Sequence, residues 1–182
     1  MRKIVASEFL TLDGVAESPE KWQFPYFNDE MGQAIGVAFA ASDAMLLGRR
    51  TYETFAASFA DNSSDDPMAA TMNATPKYVV STTLDAVEWQ NSTLIRGGLL
   101  EEITKLKRQP GKNIAISGSL TLVRSLLREG VVDELQLLVC PVVLGGGKRL
   151  FGDADEQVPL KLVNSTTFST GVLSLTYAPA NK

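Results

Sequence analysis

Three short stretches of the chain bring together residue types that bind phosphate, and each follows an apolar run. The first is Leu46-Leu47-Gly48-Arg49-Arg50-Thr51. A glycine there lets the backbone approach a ligand, a helix start offers unpaired amides, and the arginines add charge-assisted hydrogen bonds. The second is Ile114-Ala115-Ile116-Ser117-Gly118-Ser119-Leu120-Thr121. Its small residues at 117–119 leave room for a pyrophosphate against a helix N-terminus. The third is Val79-Val80-Ser81-Thr82-Thr83, whose hydroxyls suit a ribose phosphate. Each has a plain structural alternative: surface arginines beside a tight turn, Ser119 acting only as an N-cap, and an ordinary turn at 81–83. Neither GxGxxG nor a P-loop is present. The three weigh more together, because ligands of open α/β sheets sit beyond the carboxyl ends of parallel strands.

Other chemistry is limited by what the chain lacks. It has no histidine, which removes Ser-His-Asp and Cys-His catalysis and most zinc sites, so no metal is expected. A reaction whose hard step belongs to a cofactor suits that restriction. The lone cysteine, Cys140, lies in the apolar run Leu135–Cys140 and reads as a core residue. A net charge of −4, with 17 basic residues in no long run, argues against nucleic acid as a partner. There is no signal-peptide pattern and no apolar run long enough to span a bilayer, so a reducing, cytoplasmic setting is the expectation.

The elements that must position these residues follow from periodicity. Residues 3–12 read as a strand, followed by a turn at Asp13-Gly14. Phe27, Met31, Ile35 and Phe39 recur every four residues, predicting a helix capped by Asn28 or Asp29. Residues 44–47 read as a buried strand and 51–59 as a helix, with a polar loop at 61–67. Residues 78–80 and 93–95 read as strands. The segment 99–108 reads as a helix with acids in its first turn and bases in its last. A strand at 113–117 leads into a helix reaching about Glu129, with Gly130 as its C′ residue. The last third predicts one long strand at 133–143, then a hairpin of 160–168 and 172–178. Alternation over 43–130 indicates a mostly parallel sheet with an antiparallel end.

Several segments together resemble a known family. They are Thr11-Leu12-Asp13-Gly14, Leu47-Gly48-Arg49-Arg50-Thr51-Tyr52-Glu53, Ser117-Gly118-Ser119, and Pro141-Val142-Val143-Leu144-Gly145-Gly146-Gly147-Lys148-Arg149-Leu150-Phe151. Their order and spacing resemble the reductase domain of the bifunctional riboflavin-biosynthesis deaminase–reductase, the RibD C-terminal domain, a relative of dihydrofolate reductase. The resemblance implies one such domain over residues 1–182. Its fold is α/β: a dihydrofolate-reductase-like three-layer arrangement with a mostly parallel central sheet, antiparallel C-terminal strands and helices on both faces. The zinc deaminase motif of the bifunctional enzyme is missing, leaving only the reductase half.

The resemblance also implies NADPH as hydride donor. By it, Gly48, Arg49 and Thr51 hold the cofactor phosphates. Ser81 and Thr82 lie near the adenosine 2′-phosphate, and Ser117, Gly118, Ser119, Leu120 and Thr121 wrap the pyrophosphate. Leu12, Asp13 and Gly14 lie near the nicotinamide, and Leu144 and Gly145 near the active-site mouth. Dihydrofolate reductases place an acid on the first helix, and the matching position here is close to Gly32, which donates no proton. Asp29 and Glu30, one turn earlier, are the candidate acids; alternatively they only complement the helix dipole. Trp22 and Tyr26 are candidates for stacking on a flat substrate, or for packing in a core or subunit contact. The expected function is NADPH-dependent reduction of a small heterocyclic or carbonyl substrate by a homodimer. Dihydrofolate itself is not the expected substrate. The riboflavin-pathway pyrimidine, with Lys148 and Arg149 on its ribose phosphate, is the runner-up. A binding module for NADPH, flavin or pterin without turnover is the rival.

Overall fold

The computed structural model describes residues 1–61, 66–152 and 157–180. Among these residues eight strands form one sheet: β1 (Ile4–Thr11), β2 (Ser42–Gly48), β3 (Lys77–Val80), β4 (Ser92–Ile95), β5 (Asn113–Ser117), β6 (Glu134–Cys140), β7 (Leu160–Thr167) and β8 (Leu173–Pro179). Their order is β4-β3-β2-β5-β1-β6-β8-β7. The pairs from β4 to β6 are parallel, and β6–β8 and β8–β7 are antiparallel. The parallel body and antiparallel end read from the sequence are both present.

Among the described residues five α-helices cover the sheet: α1 (Asp29–Ala40), α2 (Arg49–Phe59), α3 (Pro67–Ala74), α4 (Leu99–Arg108) and α5 (Leu120–Arg128). The central strands are apolar on both faces, as a covered parallel sheet requires. In β2, Ala44 and Leu46 join the cluster that takes Ile103 and Leu106 from α4 and Leu122, Val123, Leu126 and Leu127 from α5. Met45 and Leu47 face the other way, toward Tyr52 of α2 and Met72 of α3. On that same side Met31 of α1 packs with Trp22, Cys140, Phe168 and Val172.

Local chemistry explains the boundaries. Asn28 caps α1, its side-chain oxygen accepting the Met31 N–H at 3.0 Å. Phe27 therefore precedes the helix and is exposed, outside the face it was expected to share with Met31. The helix α5 ends in a Schellman motif: Gly130 has φ +65°, its N–H reaches Leu127 O at 3.0 Å, and Val131 N–H reaches Leu126 O at 2.9 Å.

Two expectations change. The polar loop at 61–67 contains the start of α3, where Asp66 accepts the Met68 N–H at 2.9 Å and Pro67 takes the first helical position. Residues 62–65 of that loop lie outside the described residues. The strand expected over 133–143 stops at Cys140, because Pro141 has no N–H to offer a ladder. That strand is also flanked on both sides, by β1 and β8, so its edges are not open to a second subunit. Among the described residues, no helix is long and apolar enough to cross a membrane.

Candidate active site

The strand order brings the three phosphate-friendly turns to one end of the sheet. β2 lies between β3 and β5, and all three run in the same direction, so their carboxyl ends are neighbours. Their side chains complete the junction. Ser119 Oγ accepts the Gly48 N–H at 2.7 Å and donates to Thr51 Oγ1 at 2.8 Å. Arg49 Nη1 donates to Thr83 Oγ1 at 2.9 Å, while its Nε pairs with Glu53 Oε1 at 2.8 Å. The segments 48–51, 81–83 and 117–121 thus form one contiguous surface.

Glycine is required at two points of that surface. A Cβ on Gly48 would lie 2.6 Å from Ser119 Oγ, and one on Gly118 would lie 3.1 Å from Thr51 Oγ1. Gly118 also has φ +73°, and Ser119 follows it at φ +63°. Ser119 sits at the N-cap position of α5 without making a side-chain cap, because its hydroxyl is turned to Gly48 and Thr51. Gly48 gives α2 no side-chain cap either. Two helix N-termini, neither capped by a side chain, therefore meet beside the exposed Arg49 and Arg50. Uncapped first-turn amides with a positive dipole end and adjacent guanidinium groups suit a multiply charged anion. Leu120 and Thr121 supply the first amides of α5.

Ser81 differs from its expected place. It is buried, and its hydroxyl accepts the N–H groups of Thr83 at 3.2 Å and Leu84 at 3.1 Å, so it shapes the turn. Thr82 and Thr83 are the exposed hydroxyls there.

The segment around Leu12, Asp13 and Gly14 is zipped to the glycine-rich segment after β6. The Asp13 carboxylate accepts Thr11 Oγ1–H at 2.6 Å, Gly145 N–H at 2.8 Å and Leu144 N–H at 3.2 Å, which hold its pKa down at about 2. Arg149 Nε donates to Asp13 O at 2.8 Å, and Leu12 N–H to Val142 O at 2.8 Å. Leu12 and Leu144 are left exposed on this joined rim.

The proposed acids and aromatics separate into different roles. The Glu30 carboxylate accepts Ser169 N–H at 2.7 Å, Ser169 Oγ–H at 2.5 Å and Asn28 Nδ2–H at 2.7 Å, so its pKa is lowered. It ties α1 to the β7–β8 turn, and a carboxylate held this way is a poor proton donor at neutral pH. Asp29 is exposed at the helix start, where it complements the dipole. Trp22 is only 8% exposed, packed in the core under α1 with its Nε1–H on Glu17 O at 3.0 Å, so its role is packing rather than substrate contact. Tyr26 is half-buried against the same cluster.

One residue absent from the sequence reading stands out. Glu8 lies in β1 and is 6% exposed. Burial pushes its carboxyl up to about 8, opposed in part by the nearby Gly118 N–H. A glutamate inside the apolar strand Ile4–Thr11 was the available signal.

The RibD C-terminal domain family matches residues 2–174. The chain belongs to that family. It is 33% identical over 180 residues to the uncharacterized protein YyaP of Bacillus subtilis (strain 168), covering 97% of this chain and 94% of the relative. Among solved structures it resembles a candidate riboflavin biosynthesis protein from Shewanella sp. PV-4, with 21% identity, TM-score 0.79, and 97% and 98% of the two chains covered. It also resembles dihydrofolate reductase from Enterococcus faecalis complexed with NADP(H) and RAB-propyl, with 15% identity, TM-score 0.65, and 98% and 96% covered. The likeness to both structures fixes the fold as dihydrofolate-reductase-like.

Proposed function

We propose that this chain is an NADPH-dependent reductase acting on a small heterocyclic or carbonyl substrate. The observation that supports this above others is the junction of the α2 and α5 N-termini through Gly48, Thr51 and Ser119. The donor set there fits a dinucleotide. Backbone amides at the starts of α2 and α5 would hold the pyrophosphate, and Arg49 and Arg50 its outer charges, with Thr83, hydrogen-bonded to Arg49, and the exposed Thr82 beside it in sequence to help with a ribose phosphate. When bound, NADPH would supply the hydride. The protein's own task would be orientation: alignment of acceptor and donor can supply roughly 7–11 kcal/mol of the barrier. The joined rim of Leu12–Gly14 and Leu144–Gly145 would close over the reacting end and keep water out. Family membership supports the class of reaction.

The test is turnover. NADPH would be mixed with the protein and, in turn, 2,6-dichlorophenolindophenol, 7,8-dihydrobiopterin and benzaldehyde. Protein-dependent loss of NADPH absorbance with at least one acceptor is the expected result. Tight NADPH binding without loss in any mixture would overturn the enzyme reading in favour of a binding module. Arg49→Ala should weaken NADPH binding roughly tenfold, the scale of one charge-assisted contact, and NADH binding less. Equal effects in titration calorimetry would remove the 2′-phosphate contact from the account.

A further inference from the structure

β1 loses one neighbour partway along its length, and Glu8 sits at the point of parting. β5 pairs with β1 up to Ser7↔Ser117, then turns at Gly118 into α5. β1 continues beside β6 as far as Thr11↔Cys140. The chain leaves β1 for β2 on one side and returns through β5 to reach β6 on the other, which makes the β1/β5 gap the topological switch point of the sheet. Glu8 follows Ala6 and precedes Leu10 on the face that packs toward α5. Its carboxyl lies beside the Gly118 N–H, in the same turn whose next residue bridges to Gly48 and Thr51. Its Oε1 is buried and has no hydrogen-bond partner among the described residues.

A buried carboxyl with an unpartnered oxygen is costly to keep, and an apolar residue at position 8 would continue the strand pattern without that cost. Its surroundings hold it as a neutral acid with a proton to give. The acid at the start of α1 is committed elsewhere: Glu30 is held as a carboxylate by Ser169 and Asn28.

Resting on the reductase reading above, we propose that Glu8 is the proton donor of the site, delivering its proton from Oε1 at the β1/β5 parting to the heteroatom of the reduced substrate bond. The balance is simple. Hydride from the reduced nicotinamide dinucleotide adds to the carbon of a C=N or C=O bond, and the dinucleotide leaves oxidised. The π pair moves to nitrogen or oxygen, which takes the Glu8 proton. Glu8 is left as a carboxylate beside the Gly118 N–H and regains a proton from water.

Two measurements test this. The first needs neither substrate nor cofactor: infrared titration of the wild-type protein should show a carboxylic-acid carbonyl band that persists at neutral pH, fades near pH 8, and is absent from Glu8→Gln. The second uses the acceptor reduced in the turnover assay. Glu8→Gln should bind NADPH within about threefold of wild type, yet lose about 100-fold or more in kcat, with Glu8→Asp recovering part of the rate. The wild-type alkaline limb in kcat should vanish with the variant's rate. A glutamate that titrates in the ordinary carboxylate range, or a Glu8→Gln enzyme with undiminished kcat, would overturn the proposal and leave the reductase reading intact. Failure of wild type to reduce any of the three acceptors would overturn both.

Discussion

Lys77 and Glu8 are opposite cases of a buried ionisable side chain, and their consequences for stability have opposite signs. Lys77 has no exposed surface; its Nζ donates to Met72 O and Thr75 O, each at 2.7 Å, and lies 4.2 Å above the Trp89 ring. These contacts close the C-terminal end of α3, where cations are favoured. Burial lowers its pKa from 10.5 to about 8. Between those values the unfolded chain binds more protons than the folded one, so Lys77 makes stability rise with pH from about 8 to about 10.5. Glu8 is raised from 4.5 to about 8, so the folded state binds more protons in that window and stability falls as pH rises through it. Urea denaturation across pH should show Glu8→Gln gaining on wild type between pH 4.5 and 8, and Lys77→Met losing the alkaline rise. Parallel curves for wild type and variants would contradict the assignments. At this scale the sequence was only partly informative. That Gly48, Thr51 and Ser119 stand where strands run into helices was legible, because a glycine or small-residue turn separates each apolar run from the helix after it. The locking of Glu30 by Ser169 was not, since that contact joins residues 139 apart in sequence.

Elements with strong amphipathic periodicity were read correctly. The helix α4 lies over Leu99–Arg108 as expected, and α5 ends at the Gly130 motif anticipated for it. The helix α3 was missed although Asp66-Pro67 is a start signal; with eight residues it has too few turns for periodicity to register. Two glycines at element ends separate stability from binding. Gly130 needs its positive φ but has no atom within 4 Å of an added Cβ. Gly130→Ala should therefore cost about 1 kcal/mol of stability through the backbone alone and leave NADPH affinity unchanged. Gly48 has an ordinary φ of −79°, but an added Cβ would drive Ser119 away. Gly48→Ala should weaken NADPH binding about tenfold, reflecting the displaced hydrogen-bonded pair. Calorimetric binding and urea midpoints on both variants check this; a reversed pattern would contradict the site.

For the whole molecule, the sheet sets both the site and a free edge. Parallel strands from β4 to β6 put every site turn at one end, and the antiparallel β8 and β7 extend the sheet away from it. Seven of the eight β7 residues are exposed, including Leu162 and Val163. An edge strand so long and open invites pairing, and a second copy of the chain is the occupant we propose for it. Light scattering should give a dimer for wild type and a monomer for Leu162→Glu/Val163→Glu; a monomeric wild type would end that proposal. The central claim, however, concerns the cleft, and a crystal structure of the protein grown with NADPH tests it most directly. The account predicts pyrophosphate oxygens within hydrogen-bond distance of amides at the starts of α2 and α5, between Gly48–Thr51 and Ser117–Thr121. A dinucleotide bound elsewhere, or crystals in saturating NADPH with that junction still closed on itself, would contradict it.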